Sequence, residues 1–321
     1  MFVVIITLSL SLYPESLMAQ DAVWTKLSDN APWSARDSAG EVVFRDKMWL
    51  LGGWTIEDNA FKRLNDVWNT ADGKIWENVS REAPWPVRNL AGCVVFRDNI
   101  WIFGGLDGKK ALNDVWYSGD GKTWHETPPV PWTPRVAFGY TVYNGKIWVA
   151  GGMDWKTMTH YNDVWCSADG INWILVTENA PWNPRSMFPL IDFKDGLWLF
   201  GGGVYDEKST NFHDVWRSVD GKAWTKVAND AGWAERRFHI ALEYDNELWL
   251  LGGVTDGNVN LHDIWRSADG ISWNIVEKAA PWGVRHEQMC MIFDEKLWMF
   301  GGFSGDSTGE MVYGDTWVMR K

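Results

Sequence analysis

The chain has 321 residues, 46% of them hydrophobic, and a formal net charge of −12. This acidic balance, with no basic stripe, disfavours binding to nucleic acid or to an anionic membrane surface. Most of the 26 tryptophans belong to the core, because so many exposed indoles would make the protein insoluble. Three cysteines without a CxxC pair indicate neither a disulfide framework nor a zinc site, so no metal or cofactor is expected.

Residues 2–12 read FVVIITLSLSL, an apolar run too short to span a bilayer. Small and polar residues follow, and the pattern is typical of a secretory signal with cleavage after Ala19. We therefore expect a signal peptide over 1–19, one mature domain over 20–321, and a secreted or periplasmic location. The alternatives are an ordinary strand or a mis-assigned start.

A phrase of 22 residues at 32–53 recurs without a gap at 84–105, 131–152, 181–202, 232–253 and 281–302. Each copy holds a Trp, an Arg three residues later, a β-branched apolar segment, an Asx/Gly turn and a closing Gly pair. The pattern predicts two strands joined by a turn, with the glycines allowing the chain to leave a crowded sheet.

A second phrase follows the first in five copies, for example DVWNTADGKIW at 66–76. Its Asp-Gly step between apolar segments predicts a tight hairpin that joins a third strand to a fourth. Helical periodicity is absent from both phrases. Each unit of about 50 residues is therefore a four-stranded sheet, and six such units predict a β-propeller.

The sixth unit lacks its fourth strand, since the chain ends shortly after DTW at 315–317. The N-terminal segment AVWTKLS at 22–28 reads as a fourth strand without the other three, and Trp24 matches Trp76 in the next unit. We expect the two termini to share one blade, which removes the exposed sheet edges. Four tryptophans in each of six blades leave only Trp54 and Trp155 outside the pattern.

The Gly pair closing the second strand, the Arg opening the first and the tryptophans of the last two resemble kelch repeats over roughly 22–321. That resemblance implies an all-β, six-bladed propeller of four-stranded blades. Kelch propellers comprise interaction modules and a few enzymes, so the fold alone does not choose a function.

Every blade carries the Arg before its first strand and an Asp at the start of its third. Equal numbers suggest Arg–Asp pairs or Asp capping of loop amides. The alternative is a ring of arginines that binds a ligand. Its candidate members are those of blades 1, 5 and 6, namely Arg36, Arg236 and Arg285.

The three positions after this Arg differ between blades, and function must break the symmetry of the repeat. Blades 5, 6 and 1 adjoin one another and are polar there, whereas blades 3 and 4 are apolar. We expect a polar cluster on one side of the channel mouth, containing Asp37, Arg237, His239, His286, Glu287 and Gln288. Glu287 with His239 or His286 would form an acid–base pair, beside arginines that hold an anion. The alternative is a satisfied polar network without a ligand.

The connections between second and third strands hold Trp54, Trp155, Tyr205 and Phe303 beside Asp and Asn residues. Exposed rings and carboxylates suit sugar recognition. The alternatives are ordinary turns with an aromatic residue packed over the blade, or a calcium site, although EF-hand spacing is absent.

Two hypotheses follow. The first is an exported, monomeric binding protein that recognises a glycan or a protein through the face carrying these loops. The second is a sugar-active enzyme that resembles the sialic-acid epimerase type of kelch propeller, for which an Arg-rich face would suit a carboxylated sugar. Galactose oxidase also resembles the chain in fold, but its copper site needs two His and two Tyr, one of them cross-linked to Cys. No Cys here has such neighbours in the repeat register, and only three His lie outside the repeat pattern.

Overall fold

A computed structural model describes residues 23–205, 210–306 and 309–320. The structure there is β-strand and connecting loops, with one 3₁₀ turn at Asp256–Asn258. Within these ranges no helix has the length and apolar character needed to cross a bilayer. The signal peptide predicted over 1–19 lies outside the described residues.

Six four-stranded antiparallel sheets, the blades, follow one another along the chain. Blade 1 comprises Gly40–Phe44, Lys47–Glu57, Ala60–Thr70 and Trp76–Ser80. Blade 2 comprises Gly92–Phe96, Asn99–Phe103, Val115–Ser118 and His125–Glu126. Blade 3 comprises Gly139–Tyr143, Lys146–Ala150, Val164–Ser167 and Trp173–Thr177.

Blade 4 comprises Leu190–Asp192, Leu197–Gly203, Asn211–Ser218 and Thr225–Ala228. Blade 5 comprises Ile240–Tyr244, Glu247–Leu251, Ile264–Ser267 and Asn274–Glu277. Blade 6 comprises Met289–Phe293, Lys296–Phe300, Thr316–Arg320 and Val23–Ser28. The first strand of each blade touches the first strands of both neighbours, so the six first strands surround a central channel.

The ring closes through the two ends of the chain, as predicted. Val23 pairs with Arg320 and Trp24 with Met319, which makes the N-terminal strand the fourth strand of blade 6. Trp24 also packs edge-to-face on Trp282, with ring centroids 6.2 Å apart. The same contact recurs between the loop Trp and the fourth-strand Trp of every blade, at 5.8–6.3 Å. Such pairs add about 0.5–1.5 kcal/mol each beyond the area they bury.

The hairpin between third and fourth strands differs from the tight turn expected. Five residues separate Thr70 from Trp76, and of the Asp-Gly pair only Gly73 has a positive φ. The Asp72 carboxylate accepts hydrogen bonds from the backbone amides two and three residues further on, those of Lys74 and Ile75, at 2.9 and 2.8 Å. Asp therefore serves as an acceptor that folds a wider turn, in place of a residue with left-handed backbone.

The glycine of this turn also joins neighbouring blades, because it lies on the second-strand Trp ring of the preceding blade. A Cβ atom at that glycine would overlap the ring. The pairs are Gly73–Trp298, Gly121–Trp49, Gly170–Trp101, Gly221–Trp148 and Gly270–Trp198.

The connections between second and third strands are largely two-stranded ribbons, where loops were expected. In blade 1 both strands continue past the Gly pair as far as Glu57 and Ala60. Blade 4 has a similar extension. Blades 3 and 6 carry separate ribbons, Met153–Asp154 with Thr159–His160 and Phe303–Asp306 with Gly309–Val312. Gly52 and Gly53, both with positive φ, shift the register by one residue and redirect the ribbon without ending the pairing.

We expect Gly221→Ala to destabilise the protein by at least 2 kcal/mol more than Gly145→Ala. Both glycines have a positive φ, of 71° and 68°, so both variants incur the same backbone strain of about 1 kcal/mol. Only the Gly221 methyl meets the Trp148 ring, whereas nothing lies within 4 Å at Gly145. Urea unfolding of the two variants measures the difference, and equal losses would contradict the packing described.

Candidate functional site

One end of the channel, which we call the mouth, is encircled by a ring of six backbone hydrogen bonds. It lies on the loop face, the face that carries the ribbons and the loops before the first strands. In each blade the amide of the second residue after the repeated Arg donates to the carbonyl of its counterpart in the preceding blade, at 2.7–3.1 Å. All six residues have a left-handed φ of 47–60°: Ser38, Leu90, Ala137, Met187, Phe238 and Glu287. Ser38 donates to Glu287, so the ring closes across the seam between blades 6 and 1.

Left-handed backbone costs about 1 kcal/mol for each of these residues, since none is glycine. The inter-blade hydrogen bonds hold the conformation, and strain of this kind is concentrated at functional sites. Here it turns six different side chains toward the mouth. The ring is thus apolar over blades 2 to 5 and polar at the seam.

The polar part of the mouth, which we call the polar sector, consists of Asp37, Ser38 and Glu287. The Ser38 hydroxyl lies 2.6 Å from a Glu287 oxygen and 2.8 Å from Asp37 Oδ1. Trp54 is held beside them, because its backbone exchanges two 3.1 Å hydrogen bonds with Asp37. Two carboxyl groups, a hydroxyl and an indole therefore meet at one point.

Burial disfavours the charged form of both carboxyl groups. Burial raises the pKa of Asp37 well above its ordinary value, and the charge of Glu287 raises it further. Burial also raises the pKa of Glu287, against hydrogen bonds from Ser38 and Asp37 that lower it. Two adjacent carboxyl groups avoid a double negative charge by sharing a proton. The polar sector consequently holds a hydrogen-bond donor and an acceptor side by side.

The structure corrects the predicted pairing of Glu287 with a histidine. His286 bonds to Asn260 and stacks on Phe238 with centroids 5.5 Å apart. Burial, and then the charge of Arg237, lowers the pKa of His286 to about 3. His239 is 3% exposed and packs on Trp233. Glu287 instead bonds to Ser38, because its left-handed backbone directs it across the seam.

His239 is neutral, since burial and then the Arg236 charge lower its pKa well below the ordinary value. Neither of its ring nitrogens has a hydrogen-bond partner among the described residues, and the same holds for Gln288 Oε1. The Gln288 amide nitrogen donates to the Leu251 carbonyl at 3.3 Å. Both side chains lie in the wall of the channel.

Arg237 lies behind the mouth, between the ribbons of blades 4 and 5. Its guanidinium donates to Asn211 at 2.9 Å and to Asn258 at 3.0 Å, and lies 5.3 Å from the Tyr205 ring centroid. The residue is 2% exposed. It acts on the mouth through its charge, which lowers the pKa of Glu287.

Arg36, Arg236 and Arg285 are buried, and their side chains are already engaged. Arg36 forms two hydrogen bonds with Asp66, at 2.7 and 2.8 Å, and a third with the Gly52 carbonyl. The same arrangement occurs in all six blades, with the partners Asp66, Asp114, Asp163, Asp214, Asp263 and Asp315. The Arg–Asp pairing alternative is thus the one that the structure shows, and the arginine ring presents no open guanidinium to a ligand.

The four loop aromatics form two clusters on the loop face, and all are half-buried. Trp54 packs against Phe61 and Phe303 with centroid distances of 5.2 and 5.4 Å, which joins the ribbons of blades 1 and 6. Trp155 packs against Tyr205 at 6.1 Å, between blades 3 and 4. Only the first cluster adjoins the polar sector.

The Asp residues near these clusters mainly shape turns. Asp107 accepts bonds from the amides of Lys109 and Lys110, and Asp154 from those of Lys156 and Thr157. Across the described part of the chain, no group of three or more His, Cys, Asp or Glu side chains is arranged to hold a metal ion.

Below the mouth lies a cavity of about 290 Å³, the channel cavity. Ser38, Glu287, His239 and Gln288 line one side. The opposite wall is apolar and aromatic, and its largest members are Leu90, Phe138, Tyr140, Met187 and Phe188. Of the six residues predicted to gather on one side of the channel, His239, Glu287 and Gln288 line the cavity, whereas Asp37, Arg237 and His286 are not part of its lining.

Glu41 is a channel residue that the sequence interpretation missed. It occupies the fifth position after the repeated Arg, where the other blades carry Cys93, Tyr140, Leu190, Ala241 and Cys290. Burial raises the pKa of Glu41 to about 8, against a hydrogen bond with its own backbone that lowers it. Its charge, unique at this position of the repeat, was the signal available in the sequence.

Six four-stranded blades around a channel, closed by both termini, define a six-bladed β-propeller. A family model described as the kelch motif matches residues 88–131, and the repeat of that segment occurs in all six blades. The chain is thus a six-bladed β-propeller that carries the kelch motif. A solved structure titled "Structure of YjhT" is similar in fold, with a TM-score of 0.71 and 14% identity over 91% of this chain and 99% of that chain. No curated protein sequence matches the chain significantly.

Arg135→Met is expected to destabilise the propeller by about 3–5 kcal/mol, because the variant leaves the Asp163 carboxylate without its buried partner. The matched control is Arg45→Met, whose exposed pair with Asp98 contributes less than about 1 kcal/mol. Thermal and urea unfolding provide the measurement. An Arg135 variant as stable as the Arg45 variant would restore the ligand-binding interpretation.

Glu41→Gln should make the protein more resistant to alkaline pH. Between the ordinary pKa of 4.5 and the folded value of about 8, folded protein holds a proton that unfolded chain has lost. Stability therefore falls as pH rises through this window, and the variant abolishes the loss. We expect a gain on the order of 2 kcal/mol at pH 9 relative to pH 5 in urea unfolding, because water in the channel reduces the full effect. Glu126→Gln, on an exposed outer strand, is the control.

Proposed function

We propose that the protein binds a small carbohydrate at the mouth of the channel, on the loop face. The observation that carries this proposal is the two-sided channel cavity, with Ser38 and Glu287 on one wall and Leu90, Met187 and Phe188 on the other. A sugar presents hydroxyl groups at its edge and C–H groups on its faces, and a site of this composition satisfies both.

The polar sector suits hydroxyl recognition because a shared proton makes Asp37 and Glu287 donor and acceptor at once. A sugar hydroxyl also donates and accepts, so both of its roles find a partner. Trp54, held against Asp37, and Phe303 place rings at the rim. These rings are the nearest of the loop aromatics to the polar sector.

A small ligand fits this surface better than a protein partner does. The cavity volume approaches the lower end of small-molecule sites, about 300 Å³. A stable protein interface needs roughly 800 Å² on each side. On the loop face, the residues that break the symmetry of the repeat lie instead at one concave place, the mouth of the channel cavity.

A sugar-active enzyme is the second candidate, and the Asp37–Glu287 pair favours it. Two carboxyl groups that share a proton supply an acid and a base within reach of one ligand. The epimerase-type alternative draws on arginines that hold a carboxylated sugar. Because Arg36, Arg236 and Arg285 are bound to Asp residues, the cavity favours a neutral sugar over an acidic one.

We also propose that the protein acts after export, on the strength of the apolar segment at 2–12 and the small residues before Asp21. Expression of the full chain in a bacterium, followed by fractionation and N-terminal sequencing, tests this. Recovery of uncleaved protein from the cytoplasm would contradict it.

Thermal shift and calorimetry against a panel of neutral and acidic monosaccharides test the carbohydrate site. We expect a neutral sugar to bind, and Glu287→Gln to weaken its binding about 10- to 100-fold, because the variant removes the negative charge that remains on the Asp37–Glu287 pair and with it a charge-assisted hydrogen bond. Trp155→Ala, in the cluster remote from the polar sector, should bind normally. A panel without any binder, or a loss confined to Trp155→Ala, would refute a site at the mouth.

The same samples separate a binding protein from an enzyme. Proton NMR of each bound sugar, at a catalytic ratio of protein, reveals any accelerated interconversion of its forms. Acceleration lost in both Glu287→Gln and Asp37→Asn would establish the enzyme. Binding without acceleration would leave a binding protein.

A further inference from the structure

The middle of the channel has a chemistry that a neutral sugar does not use. Glu41 lies there as the single charged member of its ring, between Cys93 of blade 2 and Cys290 of blade 6. Among the described residues no side chain forms a hydrogen bond with it, and it bonds instead to its own backbone. A carboxyl group placed in a cavity without a protein partner needs one from outside the chain.

The wall of the cavity contains several aromatic side chains. Phe138, Tyr140, Phe188 and Phe238 contribute to its wall. The faces of aromatic rings carry negative potential and attract ammonium groups. A cavity that combines a carboxyl group with aromatic side chains has the composition found where proteins recognise organic cations.

No cation of the protein competes for this place. Among the described residues, the cavity lining contains neither Lys nor Arg, and its histidine, His239, is neutral. Arg237 is engaged with Asn211 and Asn258 behind the mouth. The net charge of −12 adds a long-range attraction for cations.

Buried acceptors in the wall of the same cavity also lack hydrogen-bond partners. Gln288 Oε1 has no partner among the described residues, and Gln288 is 1% exposed in the wall of the cavity. Both nitrogens of His239, 3% exposed in the same wall, also lack one. A neutral imidazole always keeps one acceptor nitrogen. An ammonium group offers the donors that these atoms lack.

We infer that the channel cavity takes a small ligand bearing a positively charged amino group, with Glu41 as its counter-ion. This inference rests on the proposed carbohydrate site, to whose ligand it adds a positive charge. An amino sugar would place its ring at the polar sector and its ammonium group deeper in the channel. A quaternary ammonium compound shares the ammonium chemistry without the sugar ring.

Binding should release a proton, because Glu41 must ionise to act as counter-ion. The titratable groups that interact with its charge are the Cys93 and Cys290 thiols and the Tyr140 phenol, and Glu287 and the neutral His239 line the same cavity. Burial, and then the Glu41 charge, raises the pKa of the two thiols and of the phenol well above the ordinary value. All three therefore stay neutral at pH 7, and Glu41 supplies the proton.

The test is isothermal titration calorimetry of the full protein with two matched pairs of probes. Glucosamine is compared with glucose, and choline with its neutral isostere 3,3-dimethylbutan-1-ol. At least one cation should bind 10-fold or more tightly than its neutral partner. Choline keeps its charge at every pH, so its affinity should rise from pH 6 to pH 9. Buffers of different ionisation enthalpy report the released proton.

Glu41→Gln should abolish the preference for the cation, whereas Glu243→Gln should retain it. Glu243 lies on the first strand of blade 5, outside the cavity lining, and its replacement is the same chemical change with the same change in formal net charge. Cations that bind no better than their isosteres, or an unchanged preference in Glu41→Gln, would overturn the inference. Glucose binding without a preference for glucosamine would leave the carbohydrate site intact. Choline binding without any sugar would refute only that site.

Discussion

The pairing of Val23–Ser28 with Thr316–Arg320 is the interaction on which the rest of the molecule depends. Without it blade 6 would lack its fourth strand, the two ends of the chain would not be joined, and the ring of backbone hydrogen bonds at the mouth would stay open. The bond from Ser38 to Glu287 crosses that seam, and so does the hydroxyl–carboxylate contact of the same two residues. Closure of the fold and assembly of the polar sector are therefore one event.

Residues present in every blade serve the fold. The buried arginine of each blade joins three parts of the chain, since it binds an Asp of the third strand and the carbonyl of the Gly pair. The third-strand Trp donates to the same Asp, as Trp68 does to Asp66 at 2.7 Å. Buried pairs of this kind fix geometry more than they add stability, because desolvation offsets much of their attraction. They hold the loops and strands in the same arrangement in all six blades.

The departures from symmetry share one electrostatic character. Asp37, Glu287 and Glu41 all lie in or beside the channel cavity, and burial raises the pKa of each. Burial disfavours the charged form of each of these carboxyl groups, which leaves them receptive to a ligand that brings hydroxyl or ammonium groups. The channel differs in this respect from the arginine ring, whose charges are already neutralised within the blades.

Much of the architecture could be predicted from the sequence. The repeated Trp, Arg, Asp and Gly-Gly positions determine local structure, and six copies make the pattern recognisable. Trp24 and the incomplete last unit sufficed for the closure. The order of the blades likewise sufficed to place Asp37 near Glu287. Which atoms meet was decided only by the tertiary structure. The left-handed backbone at Ser38 and Glu287 belongs to residues that do not favour it, and hydrogen bonds between blades impose it. That local reversal changes which side chains face the channel, and so Glu287 meets Ser38 and Asp37 where a histidine was expected.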